Sequence, residues 1–260
     1  MAGPAAKPEI HQFPCLKDNY GVLVRDSVSG LVAAIDAPTA EEVSAALNAK
    51  GWKLTHILTT HRHADHTDGN LALKAATGCT IIGPKGEADK VPGIDRAVAE
   101  GDTFMLGSLE VRVLETPGHT KGHITYWMPA AELAFAGDTL FALGCGRVFE
   151  GDAEEMWGSL AKLASLPPST TVYCGHEYTL ANARFALTIE PENEALVARV
   201  REIEAKRARG ETTLPTSIGI ELSTNPFLRP HSAAIRKRLG MEKAPDWQVF
   251  GEIRERKNKS

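Results

Sequence analysis

The first two-thirds of the chain alternate short apolar runs with glycine-containing turns. Runs at residues 20–24, 31–35, 56–60, 80–82, 109–114, 123–128, 133–136 and 171–174 predict β-strands. Helical spacing at 40–50, 70–77 and 153–165 predicts helices between some of them. Strands with interspersed helices indicate an α/β, sheet-based architecture with helices on its faces. The pattern changes after about Tyr178. Helices are predicted at 181–189 and 192–209, the second carrying Leu196, Val200 and Ile203 at helical spacing, with Gly210 as its stop. A proline-punctuated stretch follows at 212–230, then helical patterns at 232–239 and 245–257. The division expected is an α/β domain over 1–178 and a smaller helical domain over 179–260.

Composition narrows the classes. A chain of 260 residues suits one large domain, or one with a smaller companion. Net charge is −4 and no basic stripe exists outside the C-terminal end, which argues against a nucleic-acid partner. No apolar run approaches the ~20 residues needed to span a bilayer, so no membrane partner is expected. Residues 1–8 lack the apolar core of an export signal and read as a loose tail. Cys15, Cys79, Cys145 and Cys174 are scattered, form no Cys-x-x-Cys pair, and read as reduced thiols of a cytoplasmic protein. A monomer is the expected association state.

The candidate chemistry lies in Thr60-His61-Arg62-His63-Ala64-Asp65-His66, where three imidazoles and a carboxylate follow a predicted strand. These are ligands of borderline divalent metals. His61 and His63 face one side while the chain stays extended. Asp65 and His66 follow after the chain has begun to turn. Asp65 or Thr67 also offers an N-cap for the helix at 70–77. Three further donors stand after glycine at the end of apolar runs: His119 in Gly118-His119-Thr120, Asp138 in Gly137-Asp138-Thr139, and His176 in Gly175-His176-Glu177. His61, His63 and His119 suit one metal and Asp65, His66 and His176 a second, with Asp138 bridging. Such a pair acidifies a shared water and clamps the attacked group, which is hydrolytic machinery. Asp65 and Asp138 are the candidate catalytic carboxylates. His123 reads as a neighbour of the ligands. Arg62 points away from the His61/His63 face, and no basic environment is evident for Cys145.

The motif with its three partners resembles the metallo-β-lactamase superfamily, which implies an αββα sandwich with a dinuclear site at one edge. Within it, the segment from Phe141 to Gly151, Cys174-Gly175-His176-Glu177-Tyr178-Thr179, Thr224-Asn225-Pro226-Phe227-Leu228-Arg229 and the terminal Arg254-Glu255-Arg256-Lys257 look like glyoxalase II, the hydroxyacylglutathione hydrolases. The similarity spans nearly the whole chain. It implies hydrolysis of S-D-lactoylglutathione and related thioesters by a metal-bridging hydroxide, as the second step of methylglyoxal detoxification. It also implies two divalent ions, zinc first with iron or manganese as alternatives. Arg147, Tyr178, Arg254 and Lys257 match glutathione-contacting positions. Phe149 stands where some relatives carry a tyrosine whose hydroxyl touches glutathione, and Arg62 where a third histidine is common. A lactonase gives no reason for the terminal basic pair, and a mononuclear iron persulfide dioxygenase does not need Asp65, His66 and His176 together. A non-catalytic scaffold would tend to lose ligands. The acidic balance opposes an RNA-processing nuclease.

Overall fold

The computed structural model describes residues 7–260, so most of the tail expected at 1–8 lies outside the described residues. Two compact units interleave along the chain. The first comprises the residues up to Glu115 with Lys121–Gly137, and the second Thr116–Thr120 with Asp138–Ser260.

In the first unit, β1 (Glu9–Cys15), β2 (Asn19–Arg25) and β3 (Val32–Ile35) pair antiparallel. From β3 the sheet continues in parallel through β4 (His56–Leu58), β5 (Thr80–Pro84) and β6 (Arg96–Val98). Parallel neighbours require crossovers, supplied by α1 (Ala40–Lys50) between β3 and β4, and by α2 (Ala64–Thr67) with α3 (Asn70–Thr77) between β4 and β5. Strand β3 is buried along its whole length, as a parallel interior strand should be. Phe13, Leu23, Val43, Leu47, Ile57, Leu73 and Ile81 from sheet and helices make one apolar core. Helix α1 starts where Thr39 Oγ1 accepts the Glu42 N–H, and ends at Gly51, whose left-handed backbone lets its N–H reach the Leu47 and Asn48 carbonyls. β7 (Thr103–Leu106), β8 (Leu109–Glu115), β9 (Ile124–Met128) and β10 (Leu133–Phe135) form an antiparallel meander. In β8, Leu109, Val111 and Val113 face inward and Arg112 outward, the alternation of a half-buried strand.

The strand expected to reach Thr60 ends at Leu58, and the N-cap expected at Asp65 or Thr67 is at neither. Helix α2 begins after His63 and α3 after Gly69. Both capping candidates are otherwise engaged. Asp65 accepts from Asn19 Nδ2 at 3.1 Å, and the Thr67 hydroxyl donates to the His63 carbonyl at 3.1 Å.

In the second unit, β11 (Leu140–Phe141) and β12 (Gly144–Cys145) form a short hairpin, followed by α4 (Ala153–Ala164), β13 (Thr171–Tyr173), α5 (Thr179–Ile189) and α6 (Glu194–Ala208). β14 (Thr216–Ser217) pairs antiparallel with β13. The proline-punctuated stretch also holds α7 (Ile218–Thr224), which Ser217 caps by accepting the Ile220 N–H. Helices α8 (Ala233–Leu239) and α9 (Asp246–Asn258) close the chain. Leu196, Val200 and Ile203 pack α6 against Ala183 and Ala186 of α5, the face their spacing predicts. Among the described residues no helix is long and apolar enough to cross a membrane.

Candidate metal centre

Strands β3 and β4 run side by side with Ile35 opposite Leu58, so the residues just beyond their ends meet. Asp36, at a positive φ of 57°, accepts the Thr60 N–H at 2.7 Å and the Thr60 hydroxyl at 2.9 Å. The same carboxylate lies 2.9 Å from His66 Nδ1. The Thr60 hydroxyl oxygen is in turn 3.0 Å from His61 Nδ1. His61 Nε2 and His63 Nδ1 approach to 3.0 Å, with the rings nearly perpendicular at 81°. The His66 ring lies 4.1 Å from that of His61, and His66 Nε2 is 3.6 Å from Asp65 Oδ2. Asn19 Nδ2 holds Asp65 by both its backbone carbonyl and its carboxylate. Four of the donors expected from the sequence thus form one group within the first unit.

Arg62 turns away from that group. Buried Glu87 accepts its backbone N–H at 2.9 Å, lies 3.9 Å from its Nε, and also takes the Gly122 N–H at 3.1 Å. His123 is buried and stacks on His61 at 4.9 Å. Gly137, immediately before Asp138, has φ 47°, and a Cβ there would sit 2.6 Å from both His123 Nε2 and Thr60 Oγ1. Only glycine lets the chain pass so close to these side chains.

The remaining three donors lie in the second unit. Asp138 Oδ2 is 3.5 Å from His119 Nε2 and 3.3 Å from His176 Nε2, so one carboxylate oxygen faces two imidazoles. All three side chains are buried. His119 Nδ1 meets the Arg147 carbonyl at 3.0 Å. A carbonyl only accepts, so that contact calls for a proton on Nδ1. His61, His66 and His119 each spend one ring nitrogen on a hydroxyl, carboxylate or carbonyl and direct the other toward further donors. Imidazoles held in this way, with two carboxylates beside them, fit borderline divalent metals.

Of the five residues that the resemblance marks as substrate contacts, Tyr178, Phe149 and the Arg147 backbone touch donors of the second group. The Tyr178 ring lies flat on His176, 4.7 Å away and 2° from parallel, with Phe141 edge-on to both. The Phe149 ring sits 5.2 Å from that of His119 and is 60% exposed. The Arg147 side chain is exposed. Lys257 Nζ donates to the Ala181 carbonyl at 3.2 Å and lies over the Phe185 ring. Burial, and then the positive charges of Arg254 and Arg147, hold the Lys257 ammonium below the usual lysine range. Arg254 is buried and spans Cys145 and Asn258.

Cys145 does have a basic neighbour, contrary to the expectation from sequence. Arg254 Nη1 is 3.7 Å from its sulfur, brought there by a helix 109 residues further along the chain. Burial raises the thiol above its usual range despite the opposing Arg254 charge, so it remains a thiol and a poor nucleophile.

Asp36, Asn19 and Glu87 were not singled out from sequence. Asp36 carries the same signal as Asp138, an acid directly after a buried apolar run. Asn19 and Glu87 carry none, because their partners come from distant segments.

The chain matches known families in two consecutive pieces. Residues 21–176 fit the profile of the metallo-beta-lactamase superfamily, and residues 177–260 fit that of the hydroxyacylglutathione hydrolase C-terminus. It is 58% identical to a hydroxyacylglutathione hydrolase of Brucella anthropi over 99% of both chains. Identity to the hydroxyacylglutathione hydrolase of Rhizobium meliloti is 57%, covering 96% of this chain and 98% of the relative. Among solved structures, ETHE1 from Myxococcus xanthus superposes with a TM-score of 0.68 at 29% identity, covering 95% of this chain and 90% of that one. TTHA1623, solved in a di-iron-bound form, shares the fold with a TM-score of 0.60 at 24% identity, covering 84% of this chain and 98% of its own.

Proposed function

The chain belongs to the hydroxyacylglutathione hydrolases of the metallo-beta-lactamase superfamily, and we propose that it hydrolyses S-D-lactoylglutathione and related 2-hydroxyacylglutathiones to the hydroxy acid and glutathione. The observation that carries this reading is 58% identity, end to end, with a relative bearing that name. The biological setting proposed with it is a cytoplasmic, monomeric enzyme acting second in methylglyoxal detoxification. Residues 1–178 would carry the chemistry and 179–260 would complete the glutathione site.

His61, His63 and His119 would hold one ion and Asp65, His66 and His176 the other, with Asp138 shared. The grouping of donors within each unit supports this: His61, His63, Asp65 and His66 gather in the first, and His119, Asp138 and His176 in the second. Zinc is the first assignment, with iron and manganese as alternatives that the same donors accept. When bound, the ions supply an acidified water and polarise the thioester carbonyl.

The remaining work falls to the chain's own groups. Asp36 and the Arg147 carbonyl hold His66 and His119 in one orientation and tautomer. Tyr178 and Phe149 present aromatic faces beside the second donor group, suited to seating the acyl and cysteinyl part of the substrate. Glutathione carries two carboxylates. Arg147, Arg254 and Lys257 would offer cations to one end of it and so orient the thioester from a distance. The leaving thiolate, with an intrinsic pKa near ~8.5, departs without a dedicated general acid.

The test is hydrolysis of glutathione, coenzyme A and lactone substrates in parallel, with elemental analysis of the same preparation. Preference for S-D-lactoylglutathione with two metals per chain is the expected result. Faster turnover of a lactone or a coenzyme A thioester would overturn the reading.

A further inference from the structure

Glu87 is a buried acid, only 2% exposed, in the single turn that follows β5, and both its oxygens are committed to backbone. The segments after β4 and before β9 run together for one bond, the Ile124 N–H donating to the Thr60 carbonyl at 2.9 Å. Two residues further from that bond along each segment stand Arg62 and Gly122, and each presents an N–H. Backbone N–H groups need acceptors, and two donors cannot serve one another. A carboxylate offers two acceptor oxygens. Glu87 takes the Arg62 N–H on one at 2.9 Å and the Gly122 N–H on the other at 3.1 Å. A Cβ on Gly122 would lie 2.5 Å from Glu87 Cγ and 2.9 Å from the Gly86 carbonyl carbon, so glycine there admits the acid. The Arg62 side chain, with Nε 3.9 Å from the carboxylate, supplies counter-charge.

We propose that Glu87 is a positioning residue, a carboxylate clamp on the His61–Arg62 and Lys121–Gly122 peptides that sets the aim of His61 and His63. The inference rests on the proposed reading of these histidines as metal ligands, and its geometry lies wholly within the first unit. The Arg62 N–H belongs to the peptide bond that leaves His61. Its direction therefore governs how the chain turns from His61 to His63, whose Nε2 and Nδ1 converge to 3.0 Å. On the other segment, the tie at Gly122 places His123, which is buried and stacks on His61 at 4.9 Å. One side chain thus fixes the His61 ring twice, through its own backbone and through its stacking neighbour. Hydrogen bonds to an ionised acceptor are roughly twice as strong as neutral ones, which suits a clamp. An amide in the same place would accept one N–H and turn its own NH2 toward the other, donor against donor. A methyl group would release both peptides.

The test compares Glu87→Gln, Glu87→Asp and Glu87→Ala with the parent holoenzyme and with Asp26→Asn. Asp26 is the control for a buried acid that ties turns together: in the same unit, it accepts from the Ser29 and Ser108 hydroxyls. Zinc affinity is measured by competition with a chromogenic chelator, the visible absorption spectrum of the cobalt(II)-loaded protein reports donor geometry, and Tm reports stability. Loss of a partner that orients metal ligands typically costs about 10–100-fold in metal affinity. That range is expected for Glu87→Gln, and no smaller loss for Glu87→Ala, with an altered cobalt spectrum in both. With S-D-lactoylglutathione, kcat should fall by more than KM rises. Glu87→Asp, one methylene short but with two acceptor oxygens, should recover part of the zinc affinity and spectrum. Asp26→Asn should lower Tm and leave zinc affinity and spectrum at parent values. Parent-like zinc affinity and cobalt spectrum in Glu87→Gln would overturn the proposal. An equal loss of zinc affinity in Asp26→Asn would also overturn it, since the effect would then be general destabilisation. If Glu87→Ala does not fold, Glu87→Gln and Glu87→Asp decide by the same two readouts. A parent that binds no zinc would refute the metal reading and the clamp with it. A parent that binds zinc but leaves glutathione thioesters intact would refute the substrate reading alone, and the zinc and cobalt measurements would still judge the clamp.

Discussion

His66 Nδ1 lies 2.9 Å from a carboxylate oxygen of Asp36, a residue that also accepts two hydrogen bonds from Thr60. The adjacent ends of two parallel strands are thereby tied to one imidazole, and the turn that carries His61 to His66 inherits the rigidity of the sheet. Asp36→Ala is predicted to reduce metal affinity by about 10–100-fold and activity with it, as loss of ligand-orienting partners generally does. Asp36→Asn keeps the size of the side chain and tolerates the left-handed backbone, so it should fold normally and show an intermediate loss. Metal content after dialysis against a chelator, alongside circular dichroism, reads the effect. Full metal retention in Asp36→Ala would remove this carboxylate from any role in the site.

Gly137 is the point where the chain passes His123 and Thr60 on its way to Asp138. A methyl group there meets atoms at 2.6 Å while the backbone holds φ at 47°, so steric overlap and conformational strain act together. Gly137→Ala is predicted to destabilise the protein by about 1–3 kcal/mol, the range for a residue forced into a sparsely populated region, with the overlap pushing toward the upper end. Urea denaturation of the two proteins measures it. A change below a few tenths of a kcal/mol would show that the neighbours yield freely.

Much of this was legible in the chain itself, for physical reasons that differ by element. Helices at Ala40–Lys50 and Asn70–Thr77 are bounded by strong local signals, glycine at the C-terminus of both and a threonine cap at the start of the first. Donor residues were legible because each follows an apolar run, and the fold does place His119, Asp138 and His176 together in one unit. β1 was missed because its Pro14 and polar Glu9, His11 and Gln12 blur any period. Helix α7 was missed because prolines at 215 and 226 flank it closely, hiding the Ser217 cap. Arg254 against Cys145, and Glu87 against both Arg62 and Gly122, depend on residues far apart in sequence, and no local pattern encodes them.

Glu190 gives the second unit an acid-sensitive tie. Burial pushes its carboxyl up, but hydrogen bonds from Arg229, Asn193 and Ser232, with the Arg229 charge, outweigh that and hold it below the usual range. One guanidinium edge of Arg229 engages both its oxygens, Nε at 2.8 Å and Nη2 at 2.9 Å. A depressed folded-state value means the stabilisation is complete above the unfolded value, about 4.3 for glutamate, and is lost as pH falls through the folded one. Tm should therefore drop on acidification below about pH 4.3, and Glu190→Gln should flatten that limb. Arg229→Ala strands a buried carboxylate and is predicted to cost about 3–5 kcal/mol at neutral pH. Parallel Tm–pH curves for parent and Glu190→Gln would contradict the assignment.

Lys257 should make substrate affinity pH-dependent at the alkaline end. Burial, followed by repulsion from Arg254 and Arg147, lowers its ammonium from the ordinary lysine value. The attraction proposed for it toward a glutathione carboxylate would be present while the group is protonated and would fade as pH rises through that lowered value, before a free lysine at about 10.4 responds. KM for S-D-lactoylglutathione is predicted to climb on this limb with kcat little changed, because the contact is remote from the reacting bond. The substrate's own amine titrates nearby, so Lys257→Arg is the control: its guanidinium stays charged and should remove the part of the rise that belongs to the enzyme. Lys257→Ala should start with a raised KM and show a shallower climb. A KM–pH profile identical in the parent and Lys257→Arg would assign the whole dependence to the substrate and leave Lys257 with only its contacts to Ala181 and Phe185.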